Sequence, residues 1–293
     1  MLSILFLTTA TLAVTGAHST TFAITNNCSF TIWPATLAGA GTPQLPATGF
    51  QLDPNRTITI TAPAGWSGRI WARTGCSFDL TGFGSCLTGD CNRRLECTGN
   101  GATPPASLFE ITLGTEGDND FYDVSVVDGY NLPLIVAPTG ELNGTCTVTG
   151  CLSDINMGCP KELQVSGESD ERNTIACRSA CDTFGLDEYC CRREFGNPNT
   201  CKPSFYSAIF KRVCPKAYSY AFDDATSTFT CKASDYSIVF CPSTEGITEP
   251  ADDSTTLLQK PVHAFSGSRS RTPLFYFAIL LLCCLLQGFH TLF

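Results

Sequence analysis

Eighteen cysteines in 293 residues constrain this chain more than any other feature. Cysteine at that density pairs in an oxidising compartment and is rare in the reducing cytosol. Cys283 and Cys284 fall in an apolar tail, and the other 16 lie between Cys28 and Cys241, an even number, as a closed disulfide set requires. A structural zinc site would need repeated Cys-x-x-Cys spacing or matching histidines, and His18, His263 and His290 all lie toward the chain ends. The reading is therefore of disulfides, with no metal and no cofactor, and without a histidine-based triad in the body of the protein. Sixteen cysteines allow about two million pairings, and the residues alone select none of them.

The chain ends read as addresses. Residues 1–19 form a secretory leader: Met1 to Ala17 is apolar or small and uncharged, and Ala17-His18-Ser19 is a cleavage site. Leu274–Leu286 is 13 uninterrupted apolar residues, short of the roughly 20 that span a bilayer. Arg269 and Arg271 precede it and no Lys or Arg follows, the reverse of what a type I span carries on its cytoplasmic side. Ser266-Gly267-Ser268, a polar spacer and a terminal apolar tail fit a GPI-attachment signal, with a single C-terminal transmembrane helix as the alternative. The expected location is extracellular, at the plasma membrane. Sequons at Asn27, Asn55 and Asn143 agree with a secreted glycoprotein.

Between the addresses, residues 20–242 read as one domain, 243–273 as a Ser/Thr/Pro-rich linker and 274–293 as the hydrophobic tail. Hydrophobic residues at 43% and charged residues at 15% leave enough apolar material for a sizeable core. Period-two alternation predicts short strands at Thr21–Thr25, Phe30–Trp33, Thr57–Thr61, Arg69–Arg73, Leu108–Leu113, Phe121–Val127 and Tyr236–Phe240. Short strands at such spacing suggest a sandwich or barrel. Cys159–Cys214 holds seven cysteines with little alternation and reads as a stapled lobe of short helices and loops.

A net charge of −9 disfavours nucleic acid, which is bound through counterion release by basic residues. From Leu95 to Pro160 there is no Lys, Arg or His, yet there are nine acids: Glu96, Glu110, Glu116, Asp118, Asp120, Asp123, Asp128, Glu141 and Asp154. They are expected to make one face strongly negative. Strand parity sets Glu110 opposite to Phe109, Ile111 and Leu113, and Asp123 opposite to Tyr122, Val124 and Val126. Likewise Arg69, Trp71 and Arg73 point away from Ile70 and Ala72.

Three stretches carry a resemblance: Gly82-Phe-Gly-Ser-Cys86-Leu-Thr-Gly-Asp-Cys91, Asp120–Pro133 and Tyr218–Cys231. Together they make residues 21–242 similar to the thaumatin-like proteins, the pathogenesis-related group 5 family of plants. Asn92-Arg-Arg-Leu-Glu96 departs from the family, which usually places Gly or Gln there. The resemblance implies a mainly β fold: a flattened antiparallel β-sandwich, a disulfide-rich lobe of loops and short helices at about 154–214, and a small looped lobe near 74–101. It also implies the pairs Cys28–Cys241, Cys76–Cys86, Cys91–Cys97, Cys146–Cys231, Cys151–Cys214, Cys159–Cys177, Cys181–Cys190 and Cys191–Cys201.

Antifungal members of that family carry an Arg, a Glu and three Asp around a cleft between sandwich and cysteine-rich lobe. By position these are Arg69, Glu110, Asp123, Asp128 and Asp223, with Asp224 the near alternative for the last. Repulsion and partial burial would raise one carboxyl, so Glu110 is expected as general acid, with Asp123 ionised as base or nucleophile and Arg69 positioning a neighbour. The resemblance implies a monomeric defence protein binding β-1,3-glucan or another polysaccharide of the fungal wall, with weak endo-β-1,3-glucanase activity in some members. The alternative is a non-enzymatic binding or inhibitor module recognising a basic protein or membrane component.

Overall fold

The computed structural model describes residues 19–243, except 116, 168 and 169; the leader up to His18, nearly all of the linker and the apolar tail lie outside the described residues. In chain order the strands are β1 Ser19–Asn26, β2 Trp33–Ala38, β3 Arg56–Pro63, β4 Ser67–Arg73, the two-residue β5 Ser77–Phe78 and β6 Gly84–Ser85, β7 Leu108–Thr112, and β8 Asp120–Ser125. There follow β9 Leu134–Asn143, β10 Thr149–Cys151, β11 Gln164–Gly167, β12 Asp170–Cys177 and β13 Phe229–Phe240. The α-helices are short: α1 Ala180–Phe184, α2 Asp187–Cys190, α3 Phe205–Val213 and α4 Asp224–Ser227. Ser19, counted with the leader from sequence, opens β1 opposite Pro63.

One strand serves both layers of the sandwich. Phe229–Cys231 of β13 pairs antiparallel with β8, continuing the run β2-β4-β7-β8. From Lys232 onward β13 pairs instead with β9, and from Asp235 also with β1, whose far edge carries β3. The β1–β13 pair is parallel, so the sandwich is not wholly antiparallel as expected. A register irregularity between Ala233 and Asp235 marks the handover. Asp120, buried beside it, accepts hydrogen bonds from Tyr236 Oη at 2.7 Å, the Gly114 N–H at 2.8 Å and the Ala233 N–H at 3.4 Å.

Inward-facing residues of both layers form the main core, with Phe22, Ile24, Ile60, Ile70, Phe109, Tyr122, Val124, Val136, Tyr236 and Ile238 among its buried members. The Phe22 ring lies 5.6 Å from Trp66, 6.1 Å from Phe109 and 6.2 Å from Tyr236, within the range of favourable aromatic pairs. The second expected strand is displaced: Phe30 is exposed, Ile32 makes only an isolated bridge to Leu52, and β2 runs through Pro34. Pro34 is tolerated because its backbone faces away from β4, its carbonyl accepting from the Phe50 N–H at 3.1 Å.

Eight disulfides close the domain: Cys28–Cys241, Cys76–Cys86, Cys91–Cys97, Cys146–Cys231, Cys151–Cys214, Cys159–Cys177, Cys181–Cys190 and Cys191–Cys201. Cys28–Cys241 spans 213 residues, a loop whose closure lowers unfolded-chain entropy by roughly 5 kcal/mol in a chain-entropy estimate. The cysteine-rich lobe holds the β11–β12 hairpin in addition to its short helices. Among the described residues no helix is long and apolar enough to cross a membrane.

The small lobe is fastened by Arg73. Strand parity sends it to the face of Trp71, where it is fully buried. Its Nε donates to the Trp33 carbonyl at 3.0 Å, Nη1 to the Arg94 carbonyl at 2.8 Å and Nη2 to the Leu95 carbonyl at 2.9 Å. Gly49 makes room for this junction: a Cβ there would lie 2.0 Å from the Leu95 carbonyl oxygen. Asn92 and Arg93 have φ of 61° and 59°, in the left-handed region. The left-handed turn is held by Asp90, which accepts from the Arg93 N–H at 2.7 Å, while the Arg93 guanidinium lies 5.1 Å above the Phe83 ring. Arg73→Met would leave four carbonyls, those of Trp33, Pro34, Arg94 and Leu95, without their charged donor. The expected loss is roughly 3 kcal/mol in denaturant unfolding with disulfides intact, and trypsin should cut after Arg93 or Arg94 sooner than in the wild type.

Candidate functional site

β4, β7 and β8 are neighbours, and their register sets three polar residues in one row across the sheet. Arg69 is directly opposite Glu110, and Glu110 directly opposite Asp123. Parity turns all three outward while Ile70, Phe109, Ile111, Tyr122 and Val124 fill the core behind them. Directly paired residues have Cβ atoms about 5 Å apart, so the row brings together groups 41 and 13 positions distant in sequence.

Arg69 Nε meets Glu110 Oε1 at 2.7 Å, with side chains 48% and 30% exposed. Among the described residues Asp123 Oδ1 has no such partner: it is shielded from solvent and accepts no hydrogen bond from them. The row forms the floor of an open recess of about 500 Å³. Its walls come from Leu37–Ala40, Ser67, Gly68, Ile111, Thr112, Phe121, Tyr122 and Thr228. The walls are thus the sheet and the turn after β2, with Thr228 from the segment before β13.

Electrostatics separates the two floor carboxyls. Burial lifts Asp123 to about 8, Glu110 and Asp224 adding to the rise and Arg69 opposing it. Glu110 is also raised by burial, but Arg69 pulls it back by charge and by hydrogen bond, while Asp128 pushes it up. Both floor carboxyls are thus raised, and Asp123, which lacks the guanidinium partner that Glu110 has, is the one lifted to about 8.

The remaining expected residues divide. Asp128 acts on Glu110 through charge. Asp223 is occupied elsewhere: Oδ2 pairs with Lys211 Nζ at 3.0 Å and accepts from the Ser219 N–H and hydroxyl, both at 3.0 Å. Asp224 is the acid whose charge reaches Asp123, and it accepts from Tyr218 Oη at 2.9 Å. That phenol, which also bonds Thr228 Oγ1, is pushed up to about 12, first by burial. The nine acids between Leu95 and Pro160 have different local partners. Asp120 is buried, Glu96 binds Thr48, and Asp154 caps a short helical turn. All three sequon asparagines are exposed; Asn27 donates to the Cys241 carbonyl at 3.2 Å and Asn55 sits in a left-handed turn.

Sequence reasoning overlooked Phe121 and Lys211. Phe121 is 54% exposed in the recess, and its period-two relation to Asp123 was the available signal. Lys211 on α3 has no such signal. Besides Asp223 it reaches the Ser227 hydroxyl at 2.7 Å and the Ala217 carbonyl at 3.1 Å. One ammonium thereby gathers the 217–228 segment that carries Tyr218, Asp224 and Thr228.

A disulfide-closed sandwich with a cysteine-rich lobe and a small looped lobe is the architecture of the thaumatin-like class of proteins. The profile of the thaumatin family matches residues 26–242, and this chain belongs to that family. Among its relatives, pathogenesis-related thaumatin-like protein 3.5 of Cryptomeria japonica is 54% identical, over 78% of this chain and 92% of its own. Pathogenesis-related protein 5 of Arabidopsis thaliana is 52% identical, over 82% and 97%. These matches make the chain a thaumatin-like protein of the pathogenesis-related defence group. Among solved structures, a laminaripentaose-producing β-1,3-glucanase in complex with laminaritetraose shares the fold, with a TM-score of 0.52 at 15% identity, over 77% of this chain and 99% of that one.

Lys211→Met should cost about 2 kcal/mol of stability, because a largely buried carboxylate loses its counter-charge. Hydrogen exchange of the 217–228 amides should quicken more than that of β1 or β9, which the same variant leaves untouched.

Proposed function

We propose that the recess over Arg69, Glu110 and Asp123 binds β-1,3-glucan. The observation that carries this reading is the shielded, unpartnered Oδ1 of Asp123 on the floor of the recess, beside an Arg–Glu pair and an exposed Phe121. A sugar presents hydroxyls that both donate and accept, and C–H faces that lie on aromatic rings. A hydroxyl at Asp123 would satisfy a polar atom that is otherwise costly to keep dry. Phe121 supplies the apolar platform, and the guanidinium and Glu110 supply directional partners on either side of the strand row. Asp128 and Asp224 tune the floor by charge, and Asp223 acts as a strut with Lys211.

Slow endo-hydrolysis is the second reading. It is favoured by one specific feature: two carboxyls stand side by side in different environments, Asp123 raised to about 8 and Glu110 paired with a guanidinium, and glycosidases use such a pair as acid and base. Titration calorimetry with laminarihexaose should show binding that weakens roughly tenfold in Phe121→Ala, the scale of one lost ring contact, and at least as much in Glu110→Gln. Reducing ends released by wild type but not by Glu110→Gln would establish turnover; equal release would leave binding alone. Salt-sensitive binding of polylysine with none of laminarihexaose would replace the sugar with a basic protein partner.

The same reading sets the protein outside the cell, where its disulfides persist, tethered by a GPI anchor attached near residues 261–268. Phosphatidylinositol-specific phospholipase C should release the protein from intact cells, whereas retention after treatment would favour a transmembrane tail.

A further inference from the structure

The recess floor carries one guanidinium, Arg69, and two carboxyls, Glu110 and Asp123. Glu110 and Asp123 face each other directly across β7 and β8, and Arg69 is committed to Glu110 through Nε at 2.7 Å. The charged and titratable groups acting on Asp123 are Glu110 on β7, Arg69 on β4, Asp224 at the start of α4, and Tyr218 just before it. Asp128, following β8, acts one step away through Glu110. Two ionised carboxylates side by side, one of them shielded from water, would leave an unbalanced charge that a single retained proton removes.

We propose that Glu110 and Asp123 hold one proton between them in the free protein, lodged on Asp123, and that the affinity of the recess for uncharged sugar depends on that proton. The ligand in this inference rests on the glucan reading above; the shared proton does not. With the proton present, Asp123 is a hydroxyl donor as well as an acceptor, and Arg69 balances Glu110. An uncharged ligand then covers the floor without burying net charge. With the proton gone, covering the floor shuts an unpaired carboxylate away from water. The titration belongs to the pair as a unit, and burial places its upper step at about 8.

Carboxyl carbon-13 NMR of the labelled, disulfide-intact protein reads the proton directly. The Asp123 carbon should move through a step near pH 8, and Arg69→Gln should shift that step upward by removing the one opposing cation. Laminarihexaose affinity should fall roughly tenfold between pH 7 and 9, following the protonated fraction. Asp123→Asn should be flat across the same window. Stability gives a third readout. Folded Asp123 keeps a proton that the unfolded chain sheds near pH 4, so wild type should lose stability relative to Asp123→Asn as pH rises from about 4 to 8. An Asp123 step below pH 5 overturns the proposal whatever the sugar does. A step near pH 8 with unchanged affinity between pH 7 and 9 overturns the link to binding. A step near pH 8 with no laminarihexaose binding at any pH removes the glucan reading and leaves the shared proton standing.

Discussion

Asp120 pins the place where β13 leaves one sheet for the other, and the two-layer body depends on that crossing. Carboxylates inside proteins are costly unless their lone pairs are used. Here Tyr236, Gly114 and Ala233 each donate to it. The irregularity in β13 between Ala233 and Asp235 is therefore anchored rather than merely tolerated. Because Phe229–Cys231 stays with β8 before the crossing, β8 is held next to β7 and the recess floor keeps its register.

Register then does the electrostatic work. A one-residue slip of β8 against β7 would turn Asp123 into the core and bring Tyr122 or Val124 out. The core side chains behind the row, Phe109 and Tyr122 among them, oppose such a slip because each is fully buried. Packing on one face of the sheet thus sets the charge separation on the other. That is how an acid some fifty positions from Arg69 comes to feel it.

Much of this was legible in the sequence, for physical reasons that differ by element. Alternation exposed β1, β3, β4, β7 and β8 because one face of each fills the core, and parity placed Arg69, Glu110 and Asp123 on the other. β9 was not recognised, since its burial lapses after Pro138 and the strand continues through exposed residues. The handover in β13 needs the pairing of distant segments, which periodicity does not report. Counting acids between Leu95 and Pro160 suggested one negative face, yet counting cannot distinguish a carboxylate that fastens a turn from one that faces a ligand. Asp223 shows the same limit: its neighbour Asp224 has the same charge, and only the reach of Lys211 tells them apart.

The bond between Cys28 and Cys241 ties the ends of β1 and β13, two strands that run side by side in the same direction. Tension applied to the chain beyond residue 243 would enter at Cys241 and pass at once through sulfur to Cys28, beside the first strand. The load would circulate in that corner of the sandwich, with Arg69, Glu110 and Asp123 lying on strands outside its path.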